Sequence, residues 1–195
     1  MKKLFMVLLL ITAFQGITFA QDESVQLSEK EQCIKQILEN DYKFNSFGFF
    51  SAITDGNSKY VDLFLKAGMD PNTTYLKVPA IYTAIASRQP KIVELLLDAG
   101  VDPNQKFGGL TPMMYAIRYR DQAIVSLLIS HGANVNMSAN SVYPISYAIQ
   151  KKDTYIVKTL VEAGAEITDD DMIDAIKSKN SEIKSLVLKN YKTEE

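Results

Sequence analysis

Apolar and polar positions along this chain follow a helical rhythm. In the stretch 111–132, Met113, Ala116 and Ile117 fall at i, i+3 and i+4 and make one apolar helix face. Thr111 is a residue that caps helices, and Pro112 would stand at the first position, where a missing N–H has no consequence. A polar break at Arg120-Asp121 predicts a chain reversal. Ile124, Val125, Leu127, Leu128 and Ile129 then mark a second helix. Gly132 sits where that helix should end in a left-handed conformation, and Asn134-Val135-Asn136 begins an extended turn.

The same rhythm recurs with one period. Gly68, Gly100, Gly132 and Gly164 lie 32 residues apart, as do Ala52, Ala84, Ala116 and Ala148, and Asn72, Asn104 and Asn136. Three ladders in phase identify a repeat, in which each unit is one helix pair that buries its apolar face only by stacking on its neighbours. The expected units are residues 46–77, 78–109, 110–141 and 142–168. Ser28 and Glu31 have capping-box spacing ahead of Ile34, Ile37 and Leu38, which predicts a capping helix within an N-terminal segment 21–45. Asp169, Asp170 and Asp171 precede Met172, Ile173 and Ile176, acids where a helix dipole favours them; residues 169–190 read as a degenerate, charged capping pair, with 191–195 as a tail.

Thr111-Pro112-Met113-Met114-Tyr115-Ala116 is similar to the Thr-Pro-Leu-His-x-Ala opening of ankyrin repeats, and Ser130-His131-Gly132-Ala133 with Asn134-x-Asn136 resembles their second-helix ending. The likeness covers about residues 47 to 190. It implies an all-α ankyrin-repeat solenoid of stacked antiparallel helix pairs with projecting hairpin-like loops. The sequence departs from the family pattern in several places. The period is 32 where the family's is usually 33. The family proline is kept at Pro112 and Pro144 but replaced by Gly48 and Ala80. Between the helices only Gly56 survives, with Arg88, Arg120 and Lys152 in its place elsewhere. A side chain at positive φ costs about 1 kcal/mol, so these turns are expected to differ in geometry.

Composition adds an address. Lys2 and Lys3 precede an apolar stretch Leu4 to Phe14, a polar break at Gln15-Gly16 and the small-residue pattern Thr18-Phe19-Ala20. This reads as a cleaved Sec signal peptide over residues 1–20, with export to the periplasm or cell exterior. The alternative, an uncleaved anchor, has a stretch too short to span a bilayer comfortably. Removal of Lys2 and Lys3 takes the net charge from −2 to −4. An acidic balance, 21 basic against 23 acidic residues, argues against nucleic acid as a partner. Cys33 is the one cysteine, so no internal disulfide is available; its expected place is inside the first helix, with a reactive thiol as the alternative.

Chemistry is sparse. One His and one Cys supply neither a metal site nor a Cys–His pair, and no cofactor is expected. His131 is expected to be structural, and Asp169 to Asp171 to be a solvated helix start without the glycine and Glu of a calcium loop. Surface remains. The resemblance implies a concave face made of first helices and loops, where family members bind proteins. Carried over by position, that face takes small residues in its first half (Ser51, Thr54 and Asp55, then Thr83, Ala86 and Ser87) with Tyr82 beside them. Its second half takes Tyr115, Arg118 and Tyr119, then Tyr147, Gln150 and Lys151, with Arg120 and Lys152 at the same edge and Tyr75, Lys77, Lys106, Phe107 and Tyr143 from the loops. Tyr and Arg dominate interface energetics, so the expectation is a monomeric, non-enzymatic module that binds a partner protein with an acidic or mixed surface through the second half. The competing expectations are a secreted effector acting on host proteins and an enzyme using carboxylates.

Overall fold

The structure, a computed structural model, describes residues 27–191. Helix α1 (Glu29–Glu39) precedes four helix pairs: α2 (Ser46–Thr54) with α3 (Ser58–Lys66), α4 (Ala80–Ala86) with α5 (Pro90–Asp98), α6 (Pro112–Arg118) with α7 (Gln122–Ser130), and α8 (Pro144–Lys151) with α9 (Thr154–Glu162). A last pair, α10 (Asp169–Lys177) with α11 (Ser181–Asn190), follows. First helices pack on first helices and second helices on second helices, so the stack has two layers, and α1 lies against α3 in the second layer. This is the all-α ankyrin solenoid expected of the repeat. Residues 1–20, where a signal peptide is expected, and the tail beyond Tyr191 lie outside the described residues.

Each ladder has a physical reason. Ala52, Ala84, Ala116 and Ala148 are wholly buried, at points in the first helices where close interhelical packing favours a small side chain. Gly68, Gly100, Gly132 and Gly164 have φ between +86° and +92° except for Gly132 at +82°, the left-handed close of each second helix. Asn104 and Asn136 tie units together. The Asn104 amide donates to the Gly132 carbonyl while its oxygen accepts from the Asn134 N–H, and Asn136 does the same to Gly164 and Glu166.

The loops are true two-residue hairpins. Strands β1 (Thr74–Tyr75) and β2 (Val78–Pro79) pair antiparallel, and Phe107 bridges Leu110 as Ala139 bridges Val142. Both central residues of each turn have positive φ: Leu76 and Lys77, Gly108 and Gly109, Asn140 and Ser141. That is the mirror-image turn whose twist suits a hairpin.

The turns inside the pairs correct one expectation. Arg88, Arg120 and Lys152 hold φ of 53°, 54° and 55°, so they keep the left-handed geometry of Gly56. Two of them gain a contact for it. The Arg88 guanidinium donates to the Tyr119 carbonyl at 2.7 Å, and Arg120 to the Lys151 carbonyl at 2.8 Å, each at the end of the next first helix. Gly48 has a different reason: a Cβ there would lie 1.9 Å from the Lys43 carbonyl oxygen, so only glycine lets residue 43 press against α2.

At the chain ends, Ser28 and Glu31 form a reciprocal capping box on α1, and Cys33 is buried within that helix. Thr168 and Asp171 form a second box on α10. Asp171 is therefore 2% exposed, and the acidic helix start is not wholly solvated as expected. Asp169 accepts from the Tyr191 hydroxyl.

Candidate binding face

The first helices are short, and their sequences leave charge almost entirely out. In α2, α4, α6 and α8 there is no Asp or Glu, and Arg118 and Lys151 are the only charged residues. Of the outer helices, α7 is uncharged, while α3, α5 and α9 mix both signs and pair most of their lysines: Lys66 with Asp62, Lys91 with Glu94, Lys158 with Glu162, Lys59 being the exception. Among the described residues, Arg88, Arg118, Arg120, Lys151 and Lys152 have no ion-pair partner. The nearby acids in the chain serve as caps. Asp121 and Asp153 accept the Ile124 and Ile156 N–H groups, and Asp55 accepts the Tyr42 hydroxyl. The first-helix face therefore has an uncompensated basic edge on an acidic protein.

The residues expected to form this face fall into three groups. Arg118 and Gln150 are exposed on α6 and α8. Tyr143 is 37% exposed at the start of α8, and Tyr147 is half-buried with the Lys151 ammonium 5.2 Å from its ring centroid. These four stand together with Lys151 as an accessible set. Thr83, Tyr115, Tyr119 and Phe107 are half-buried. Tyr115 meets Tyr82 edge-on at 4.8 Å and Phe107 packs on Tyr82 at 5.1 Å, so both carry structural contacts behind their exposed edges.

The third group is occupied inside the stack. Tyr82 is 2% exposed, which removes it from any surface a partner could reach. Its hydroxyl donates toward the Gln105 and Leu110 carbonyls at 2.5 and 3.0 Å, satisfying a buried phenol whose burial pushes its pKa well above the ordinary range. Arg120 reaches the Lys151 carbonyl, and the Lys106 ammonium donates to the Ser138 carbonyl of the next loop at 2.9 Å. Both side chains are exposed but spend a donor holding neighbouring units together.

A part of the face that the residue pattern did not single out lies at its other end. A cleft of ≈ 280 Å³ is lined by Phe47, Phe50, Ser51 and Thr54 from α2, by Tyr75, Leu76 and Val78 from the first hairpin, and by Thr83. Phe47 is 54% exposed and Leu76 80%. The clue was present in sequence. Leu76-Lys77 occupies the turn positions held by Gly108-Gly109 and Asn140-Ser141, and Phe47 is in phase with Pro79, Thr111 and Tyr143. Elsewhere, His131 is structural: its Nδ1 lies 2.8 Å from the Leu127 carbonyl and its Nε2 3.1 Å from Asp98 of the preceding unit. No cluster of three or more His, Cys, Asp or Glu side chains with metal-site spacing occurs among the described residues.

This stack of helix pairs, with an open face whose first helices carry no carboxylate, defines a repeat scaffold that presents a surface for binding. A family model described as ankyrin repeats (3 copies) matches residues 24–107 and 104–171. The chain belongs to the ankyrin-repeat family; it is a protein–protein interaction module, of a kind generally without enzymatic activity. No curated protein matches it.

Proposed function

We propose that this protein is exported and, as a monomer in the periplasm or outside the cell, binds a partner protein through its first-helix face and hairpins, as an inhibitor of, or helper to, another exported protein. The observation that carries this reading is the charge segregation. Among the described residues, the cations on or beside the first helices have no acid partner, while three of the four lysines on the outer helices do, Lys59 lying instead over the Tyr60 ring. Unpaired charge at a rim raises association rate and selects partners of opposite sign. Export rests on Lys2, Lys3, the apolar stretch Leu4 to Phe14 and Thr18-Phe19-Ala20.

The test uses charge reversal at one exposed site per face. With the protein as bait in a periplasmic extract, Arg118→Glu should abolish capture of the retained protein and Lys158→Glu should leave it intact, both with unchanged helical content. Equal capture by both variants would place the interface elsewhere. Tyr115 is a poorer probe because its ring supports Tyr82. Recovery of the uncut Met1 form from the cytosol alone would overturn export.

A further inference from the structure

We infer that the Phe47–Leu76 cleft seats one bulky apolar side chain of an extended partner segment whose acidic residues run along the face toward Arg118 and Lys151. This rests on the reading of the first-helix face as the binding surface and adds to it the chemistry of what binds. Three independent observations converge.

The first is Leu76 itself. It sits at φ +51° in a two-residue turn whose counterparts are glycine at 108 and asparagine at 140, residues that enter the left-handed region readily. It is also 80% exposed, so it has neither backbone preference nor burial in its favour. Inside the fold the side chain does little except wall the cleft. Phe47 shares this condition. Its ring leans on Tyr75 at 5.9 Å and is otherwise open to solvent.

The second is the cleft's composition. Its walls are Phe47, Phe50, Tyr75, Leu76 and Val78, and its polar members are the hydroxyls Ser51, Thr54 and Thr83. Two of these are already committed: Ser51 donates to the Phe47 carbonyl and Thr54 to the Phe50 and Ser51 carbonyls of their own helix. A site with no charge and with two of its three small hydroxyls turned to the backbone fits an aliphatic or aromatic side chain.

The third is charge complementarity beyond the cleft. Thr54 on its wall and Arg118 are equivalent positions, two repeats of 32 residues apart. First helices pack side by side at about 8–10 Å. Two spacings are therefore about 16–20 Å, which an extended chain covers in about five or six residues at 3.3 Å each. An acidic group that far from the apolar anchor would arrive at Arg118, with Lys151 one helix further on, and no carboxylate of the first helices would repel it.

The test uses fluorescein-labelled synthetic peptides of about sixteen residues in a Ser/Gln background, with one Leu and a run of Glu placed about two, five or eight residues away in either direction. Binding is read by fluorescence anisotropy with the purified protein in the form recovered from expressing cells, at low salt and at about 0.3 M salt. The expected result is tightest binding at a spacing of about five, weakened at least tenfold by Leu→Ser in the peptide, by Glu→Gln in the peptide, or by Leu76→Asn or Phe47→Ser in the protein. Leu76→Asn keeps a residue at ease with positive φ, so it also serves as the variant that folds; circular dichroism confirms it. Arg118→Glu should erase the preference for Glu while the Leu dependence stays. Absence of peptide binding, indifference to Glu→Gln, or indifference to Leu76→Asn would overturn the inference. So would a dimer in sedimentation that Leu76→Asn dissolves, which assigns the cleft to a second copy. Adherence to phosphatidylglycerol vesicles that depends on Leu76, without peptide binding, assigns it to lipid and overturns it equally. If bait capture remains sensitive to Arg118→Glu while the peptides fail, the binding face stands and the anchored acidic segment falls.

Discussion

The first two helix pairs and the last two are built on one template but held together by different forces. In the N-terminal half, rings do the work. Phe49 and Phe44 meet Phe64 at 5.5 and 5.7 Å, Tyr42 meets Tyr60 at 5.0 Å, and Phe50 meets Tyr75 at 5.6 Å. From the second pair into the C-terminal half these rings thin out, and polar bridges reaching 28 to 32 residues into the next unit take over, from Arg88, Asn104, Lys106, Arg120 and Asn136. Asn72, the first rung of the asparagine ladder, bonds within its own loop to Asp70. The lesson is that one repeat register can be stabilised by dispersion and burial at one end and by directional bonds at the other. The surfaces differ in parallel: an apolar cleft where rings dominate, and a basic edge where bridges do.

Gly48→Ala should damage the aromatic half most. The new Cβ meets the Lys43 backbone oxygen at 1.9 Å, and backbone cannot step aside as a side-chain end can. A loss of about 3 kcal/mol or more is expected, the upper range for overpacking, seen as an early transition in denaturant. A change under about 1 kcal/mol would mean that residue 43 is not locked in place.

The next contrast compares two asparagines. Asn136→Ala removes bonds to both the Gly164 carbonyl and the Glu166 N–H and should destabilise by about 1–3 kcal/mol. Asn72→Ala removes only the side-chain amide's local bond to Asp70, the backbone N–H bond to that carboxylate being kept, and should cost less than about 1 kcal/mol. Equal effects in urea titration would erase the distinction between the halves.

Smaller effects separate the positive-φ turns. Lys152→Gly relieves left-handed strain at a residue with no bond to the following unit among the described residues and should stabilise by up to about 1 kcal/mol. Arg120→Gly relieves the same strain but loses the bond to the Lys151 carbonyl, so it should be near neutral. Greater stabilisation by Arg120→Gly than by Lys152→Gly would show that the bridge contributes nothing.

The smallest expected effect belongs to His131. Its pKa is raised, first by donation from Nδ1 to the Leu127 carbonyl and then by Asp98. A raised folded pKa contributes stability that is fully present below the ordinary value of 6.5 and is lost as pH rises through the higher folded value. The imidazole is about a quarter exposed and its Asp98 partner mostly so, and solvent screening keeps the loss small. His131→Gln should flatten the wild-type decline across that window in thermal melts; an unchanged slope would show that another group titrates there.

Much of the fold was legible because repetition multiplies weak local signals. A single Ala or Gly says little, whereas Ala52, Ala84, Ala116 and Ala148 in phase define a packing site. Contacts between units were not legible, because stacking distance rather than local pattern decides them. Nothing near Arg120 in sequence announces Lys151, and the Tyr82 phenol is satisfied by carbonyls 23 and 28 residues away. Counting Tyr and Arg on the first helices therefore singled out Arg118 and Tyr147, which are accessible, but also Tyr82, which is buried. It passed over Leu76, whose oddity shows only when the three hairpin turns are set in register.

Photo-crosslinking tests most directly the claim that a partner is held on the first-helix face. With benzoylphenylalanine placed singly at 76, 118 and 150 on that face, and at 59, 126 and 158 on the outer one, irradiation in an extract containing the captured protein should give adducts from the first set alone. Adducts from the outer positions, with none from 76, 118 or 150, would contradict the account.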